Sequence, residues 1–583
     1  MKRIYILLLC ISVLFLYSCN ENKFLDETPL DFLSGDNAYK TKSDFNAAIT
    51  DLYYLTRLEF YCDGDRSIDY LYGTDLMYQG GSTTSNLATD FSASGSVAKT
   101  HWDNFYKIIS QANVVLNRIG STDLPDSTKN LFIAKAKFFR GFAYRTLCYL
   151  YGGVPISLNE VTSAKTDYTR ASKDSTLIQA QSDLKFAAEN LPDINKVEDG
   201  EISAPAAYTL LAEVDLAREE YQQAVKDASK VIDNSFLALM TERFGTRKDE
   251  PGDVYWDLFR RGNQNRSAGN TEGIWVIELN NVDKTGGGST TNTYFWTTPG
   301  NYLLERHCAP QVGLFKFYMP DGSVLSPFNW PIGDYTGGRG IGNIYPDPHF
   351  SKDIWKSDWN NDIRNSNYNF VRKFKFNNSD FIAKYSKEFG DSIDVMNPKL
   401  PNGVTMLTGM GNQDSLPGRY LAPYQTKCTT PYNHPDGLYL DKSIYELSGT
   451  AGGTYCDQYM IRLPEAYLLR AEAYLKLNDK QDAANDINII RHRAHASDVE
   501  ADKVTMDYIL DERMREFGIE EKRRLTLSRT GLFYDRITKY NPWYNHLNSA
   551  DGKDYSNTYS LYPIPTTAIE ANKDAVLTQN PGY

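Results

Sequence analysis

Two stretches of this chain carry the same helical signature, and they constrain its fold more than any other feature. Residues Ser203 to Asp233 and Pro464 to Ala494 each read as two helices around a short polar turn, Arg218-Glu219-Glu220 in one and Asn478-Asp479-Lys480 in the other. Ala212 and Ala224 are twelve residues apart in the first, as Ala471 and Ala483 are in the second. Small residues at that spacing let two antiparallel helices approach closely. Tyr474 and Ile487 add the larger positions expected of a tetratricopeptide unit, whereas Asp215 occupies a place where an aromatic is expected. More than two hundred residues separate the pairs, so a regular solenoid is not expected. The expected fold class is all-α: tetratricopeptide-like helix pairs with a large irregular, loop-rich insert and few short strands.

Other segments add helices. Phe45, Ala48, Leu52 and Leu55 recur at three- and four-residue steps, and a break rich in Gly, Ser and Thr follows from Gly80 to Ser96. Trp102, Tyr106, Ile109, Ala112, Val115 and Ile119 mark the next apolar stripe. The clearest helix spans 131–151, where Phe139, Phe142, Ala143, Leu147 and Leu150 share a face; Gly152-Gly153 stops it and Pro155 prevents continuation. Between 235 and 455 helical periodicity is weak, Gly, Asn, Pro and Tyr abound, and Ile274 to Leu279 is a plausible strand. So long a loop-rich stretch is expected to be functional, and it is too aromatic for disorder. Trp102, Trp256 and Trp275 sit in periodic segments and are expected in the core.

The N-terminus is a processing signal. Met1-Lys2-Arg3 precedes an apolar run from Ile4 to Tyr17, and Leu16-Tyr17-Ser18-Cys19 follows the pattern of a bacterial lipobox. The run is too short to span a bilayer. Cleavage would leave Cys19 acylated, and several chains anchor a protein firmly. The expected divisions are a signal peptide 1–18, a helical region 19–234, a ligand-binding insert 235–455 and a C-terminal helical region 456–583, with 19–583 folding as one unit. Net charge is −12 without a basic run, which excludes a phosphate-tracking nucleic-acid binder. Beyond Cys19 five Cys remain, Cys62, Cys148, Cys308, Cys428 and Cys456, with no CxxC. They read as isolated buried thiols, with one disulfide left open if the protein is exported.

Several segments together resemble the SusD/RagB family. They are Phe24-Leu25-Asp26 with Pro29; Trp102, Tyr106, Ile109 and Asn113; Arg140 and Tyr144 before Gly152 and Pro155; and Asp362-Ile363-Arg364-Asn365-Ser366. They continue with Arg462-Leu463-Pro464-Glu465-Ala466 through Arg491, then Glu512-Arg513, Glu516, Glu520 and Arg523-Arg524. The ending, Tyr562-Pro563-Ile564-Pro565 then Gln579-Asn580-Pro581-Gly582-Tyr583, is the most specific mark. Leu525-Thr526-Leu527 departs from the Asp-Leu that members often carry after the Arg, which puts the packing of that turn in doubt. The resemblance implies a tetratricopeptide-containing scaffold of a Bacteroides-type outer membrane, lipid-anchored and facing outward. It implies a non-enzymatic protein that binds a glycan, or in some members a peptide, and serves a SusC-like TonB-dependent transporter. No cofactor is implied.

Sugar recognition needs flat apolar rings beside planar hydrogen-bonding groups. Three loop groups offer them: Arg66, Asp69, Tyr72, Asp75 and Tyr78; Tyr294, Trp296 and Tyr302 with Asn292 and Asn301; and Phe328, Trp330 and Tyr335 with Asn329 and Arg339. The ligand-binding candidates are Tyr72, Asp75, Arg66, Trp296, Tyr294, Trp330 and Tyr335, with Tyr72, Trp296 and Trp330 as stacking platforms; plain packing is the alternative for each. A surface glycosidase is the competing class, but among 74 Asp and Glu no carboxylate pair stands out. No GxSxG, HExxH or phosphate loop occurs. His492 and His495 read as a solvated basic face rather than a metal site. Arg364, Asn365, Glu472 and Arg491 read as structural, in buried Arg–Glu pairs at helix crossings.

Overall fold

The computed structural model describes residues 38–62, 67–79, 91–279, 302–330, 333–407, 418–541 and 556–583. Cys19 and the lead-in Phe24-Leu25-Asp26 lie outside them. Among the described residues, no helix is long and apolar enough to cross a membrane.

The first helices are α1 (Lys42–Tyr61), α2 (Ser96–Arg118), α3 (Asp126–Tyr151) and α4 (Lys173–Asn190). A capping box opens α1: Thr41 accepts from the Asp44 amide while the Asp44 carboxylate accepts from the Thr41 amide. Helix α3 ends where the sequence says it should, with Gly152 at φ +76°. The following Gly153 is needed for closeness, since a Cβ there would lie 2.0 Å from the Ala171 carbonyl oxygen. Phe138, Phe139, Phe142, Tyr144 and Leu147 of α3 are buried, which makes it the axis of the main core.

Next come α5 (Ala204–Ala217) and α6 (Tyr221–Ile232), then, inside the insert, α7 (Ser379–Phe389), and after it α8 (Leu463–Lys476) and α9 (Lys480–Arg493). The two expected pairs are present and share their turn geometry: Glu219 (φ 61°) and Asn478 (φ 64°) take left-handed backbone at matching places. Ala212, Ala224, Ala471 and Ala483 are all buried. The pairs, although far apart in sequence, pack directly on one another. Leu216 and Ala224 of one form a buried cluster with Leu469 and Ala473 of the other, and Arg470 donates to Ser229 at 2.9 Å. Helices α3, α4, α5, α6, α8 and α9 thus stack in succession, and the insert leaves and re-enters this stack without interrupting it.

Asp215 takes the expected aromatic's place by accepting from Gln181 at 2.6 Å, fully buried beside Asp227. Burial, reinforced by Asp227, pushes the Asp215 carboxyl up to about 8. The folded chain therefore holds a proton that the unfolded chain releases above about pH 4, and stability drains through this group as pH rises from there. Asp215→Asn is expected to gain in melting temperature over the parent chain between pH 5 and pH 8. Calorimetry at both values checks this; an equal difference at both would refute it.

The insert is anchored by an antiparallel pair, Gly273–Ile277 against Gln458–Arg462, with Trp275 opposite Ile461. Trp275 is fully buried and meets Phe138, Phe139 and Phe142 of α3 edge-on. Trp102 and Trp256 are buried as well. The rest of the insert is more ordered than its weak periodicity suggests. Strands Phe317–Tyr318, Val324–Leu325 and Thr405–Met406 form a small sheet. Phe317 packs there against Phe376, and against Phe381 and Phe389 of α7.

Helices α10 (Met506–Glu516), α11 (Arg523–Thr530) and α12 (Phe533–Tyr540) complete the body. The scattered charged motifs converge here in one buried layer. Arg364 donates to Asp362, Glu512 and Glu516, while Arg491 bridges Glu512 and Asp358 and Arg529 pairs with Glu472. Leu525 and Leu527, expected in a turn, lie buried within α11. The ending is a clasp: Asn580 donates to the carbonyls of Tyr151 and Tyr562 at 2.9 and 2.7 Å, and Gln579 exchanges two hydrogen bonds with Ile564. The five cysteines beyond Cys19 are all buried, and Cys148, Cys428 and Cys456 are free thiols.

Candidate functional site

An aromatic shelf rises from the insert on a buried polar keel. The short helix Leu304–Cys308 supplies Glu305, whose carboxylate accepts from the Arg339 amide (2.8 Å), the Thr429 hydroxyl (2.5 Å) and His434 Nε2 (2.7 Å). Gly338 permits this approach, since a Cβ there would lie 2.3 Å from the Glu305 carboxyl carbon. On the other side of the imidazole, Asp334 Oδ2 lies 3.5 Å from His434 Nδ1 and accepts from the Tyr439 hydroxyl at 2.6 Å. Burial alone would lower the His434 pKa, but Glu305 and Asp334 outweigh it and push it up to about 9. A charged imidazolium between two carboxylates thus ties segment 333–339 to segment 429–445. The Asp334 amide, donating to the Tyr445 carbonyl at 2.9 Å, adds a backbone tie.

On this keel Tyr335 stacks with Tyr432, their ring centroids 6.2 Å apart and planes 11° apart. Tyr432 meets Tyr445 edge-on at 4.9 Å, and Tyr445 meets Tyr439 at 6.3 Å. Tyr432 and Tyr445 hold φ of 59° and 55°, a left-handed backbone that costs a residue with a Cβ roughly 1–2 kcal/mol. Paired strain at two touching tyrosines marks a shape maintained for a reason other than stability. Trp330, 47 % exposed, and Tyr432, 42 % exposed, offer their faces to solvent. The Arg339 guanidinium lies 4.2 Å from the Trp330 ring centroid. Asn329 and Asn377 are joined through two hydrogen bonds, and the Tyr335 hydroxyl reaches the Asn377 side chain. Burial raises the Tyr335 and Tyr432 hydroxyls above their ordinary pKa, so both remain neutral donors at physiological pH. Flat rings flanked by neutral hydroxyls and amides suit the C–H faces and hydroxyls of a sugar ring. Glu305 and Asp334 are fully buried and engaged with His434.

Of the sequence candidates, the structure brings Trp330 and Tyr335 to this shelf. Tyr72 is buried, 6.5 Å from Phe91. Asp75 is fully buried: Arg523 donates to both its oxygens at 2.7 Å and Arg536 to one at 2.8 Å. Burial would raise its carboxyl pKa, but the two guanidiniums hold it well below the usual carboxylate range. Neither residue presents a face to a ligand, because both are spent on the core. Arg66, Tyr294 and Trp296 lie outside the described residues, as do Asn292 and Asn301; Tyr302 is buried edge-on to Tyr61. Sequence reasoning missed Tyr432, Tyr439 and Tyr445. The run Thr430-Pro431-Tyr432-Asn433-His434-Pro435 signals a turn, but nothing in it marks a tyrosine with left-handed backbone. Among the described residues no cluster of His, Cys, Asp and Glu fits a metal ion, and His492 pairs with Asp498 at the surface.

A family model described as "SusD family" matches residues 271–583, and one described as "Starch-binding associating with outer membrane" matches residues 30–216. SusD-like protein P2 of Formosa agariphila is 27 % identical over 275 residues, 46 % of this chain and 51 % of that protein. Starch-binding protein SusD of Bacteroides thetaiotaomicron is 38 % identical over 124 residues, 21 % of each chain. The chain thus spans about half the length of the first of these relatives and a fifth of the second. The fold is shared with surface glycan-binding protein A from Bacteroides thetaiotaomicron, solved in complex with laminarihexaose. That match has a TM-score of 0.61 at 17 % identity and covers 92 % of this chain and 99 % of that one.

Proposed function

The chain belongs to the SusD family, and from that premise we propose that it binds a glycan at the cell surface and delivers it to a SusC-like TonB-dependent outer-membrane transporter. Its role is capture without chemistry. Acylated Cys19 would hold the helical body at the outer membrane, facing outward, with the shelf as the binding surface. Tyr294, Trp296 and Arg66, carried over from the sequence, are proposed as further ligand contacts. The observation that carries the reading is the exposed pair Trp330 and Tyr432, with half-buried Tyr335 and Tyr445 packed against Tyr432, on a buried Glu305–His434–Asp334 keel. A rigid aromatic platform loses little conformational entropy when it binds, which favours affinity. The names of two relatives, a starch-binding protein and a structure holding laminarihexaose, support a carbohydrate as the ligand.

Calorimetry of the mature chain with oligosaccharides tests this directly. Trp330→Ala and Tyr432→Ala are each expected to weaken binding about tenfold, equivalent to about 1.4 kcal/mol. Unchanged affinity in both would remove the shelf as the site, and Trp296→Ala would then be decisive for the candidates around Tyr294. Tyr432→Asn separates strain from recognition. Asn tolerates left-handed backbone, so this variant is expected to unfold at a higher urea concentration while binding glycan more weakly. A lower urea midpoint would show that the tyrosine serves packing instead.

A further inference from the structure

We infer that the glycan held on the shelf carries an anionic group, a carboxylate or a sulfate, and that Arg339 is the residue that reads it. This rests on the glycan-binding reading above. The Arg339 guanidinium lies against exposed Trp330, on the surface where a ligand would sit. Its Nε and Nη1 are shielded from water yet have no hydrogen-bond partner. Glu305, the carboxylate whose charge acts on Arg339, is already taken: Oε1 accepts from the Arg339 backbone amide, and Oε2 from Thr429 and His434.

The contrast with the rest of the molecule is what gives this weight. Buried Arg364, Arg462, Arg523, Arg529 and Arg536 each pair with at least one carboxylate. Arg260, Arg372 and Arg524 have no carboxylate pair, and Arg524 leaves the same two nitrogens unpartnered, but each donates to at least one backbone carbonyl. Arg339 does neither among the described residues. Burying unsatisfied donors of a charged group costs about 1–3 kcal/mol or more, so the arrangement is poor for the empty protein. It becomes favourable when the guanidinium turns outward and an oxygen from outside completes it. Burial, and then the neighbouring charge of Arg306, bring the Arg339 pKa down to about 10, which leaves it charged at neutral pH.

A neutral sugar hydroxyl would fill a donor but not offset the charge. A carboxylate or sulfate does both, and its paired oxygens match the guanidinium fork. The chain as a whole carries −12, so attraction of an anionic glycan must come from this local charge. It should therefore weaken steeply as salt rises.

Affinity electrophoresis of the full mature chain tests the inference, with polygalacturonate and chondroitin sulfate set against laminarin and amylopectin. An acidic glycan is expected to bind at least tenfold tighter than either neutral one at low salt. Arg339→Gln should abolish that preference and its salt dependence, and Arg339→Lys should retain part of it. Arg339→Gln should also melt no lower than the parent chain, since it loses an unpaired cation. Preference for a neutral glycan, with Arg339→Gln binding unchanged, overturns the inference and leaves the glycan reading standing. Failure of the folded chain to bind any of the four overturns both. The preference of the unaltered chain is informative without any variant.

Discussion

Glu516→Ala is expected to lower the stability of the chain by about 3–5 kcal/mol, the range for breaking a buried ion pair from one side. Glu516 is fully buried and accepts from three guanidiniums. Arg462 lies at 2.9 Å, Arg364 at 3.1 Å, and Arg493 makes a short contact. Arg364 reaches it from the insert, Arg462 from the strand that leads into α8, and Arg493 from the end of α9. Removing the carboxylate leaves three cations facing one another in a medium that screens them poorly. Urea unfolding followed by tryptophan fluorescence checks the size; a loss below about 1 kcal/mol would place Glu516 among ordinary surface charges. The acid limb of stability carries the same signature. Burial would raise the Glu512 and Glu516 carboxyls, but Arg515, Arg364 and Arg491 hold the first, and Arg493, Arg462 and Arg364 the second, well below the usual glutamate range. The unfolded chain takes up protons at these groups below about pH 4.5 while the folded chain does not. Their contribution is complete above that pH and is lost as pH falls further. In Glu516→Ala the decline between pH 5 and pH 3 should be shallower than in the parent.

The double variant Trp330→Ala with Tyr432→Ala is expected to lose about a hundredfold in glycan affinity, the product of two tenfold effects. The two side chains sit at separate places on the shelf, Trp330 beside Arg339 and Tyr432 between Tyr335 and Tyr445. Each packs against different neighbours, so near-additivity is the expectation. Both are substantially exposed, so their removal should leave the melting temperature within a few degrees. Calorimetry alongside a thermal melt separates the outcomes. Weak binding with an intact melt supports a recognition surface, and weak binding with a lowered melt points to collapse of the insert. Asp75→Asn should behave oppositely, destabilising the chain while the folded fraction binds as before, because both Asp75 oxygens belong to Arg523 and Arg536.

Local periodicity made much of this fold legible. The stripe through Phe139, Phe142 and Leu147 announced α3, and the alanine spacing announced both helix pairs. Trp102, Trp256 and Trp275 could be placed in the core from the regularity around them, and all three are buried. Arg364, Glu472 and Arg491 could be read as structural because an Arg–Glu pair at a helix crossing is the simplest fate of such residues. The stacking of one pair on the other could not be read, since contact between Leu216 and Leu469 is a long-range event with no local trace.

The candidate site divides in the same way. Trp330 and Tyr335 were visible because they sit together in an aromatic loop. Tyr72 and Asp75 looked equivalent from composition, yet burial and the two arginines remove them from any surface. The fate of Asp75 depended on residues more than four hundred positions away.

By itself, the amino-acid sequence determined the all-α class, the helix pairs and the family, because helix periodicity and terminal motifs are encoded over a few neighbouring residues. Only the tertiary structure decided which aromatic side chains meet. Tyr335 and Tyr432 are nearly a hundred residues apart and touch because a buried Glu305–His434–Asp334 chain holds their segments together. Partner choice of that kind is settled by desolvated charge in three dimensions, which no stretch of sequence displays.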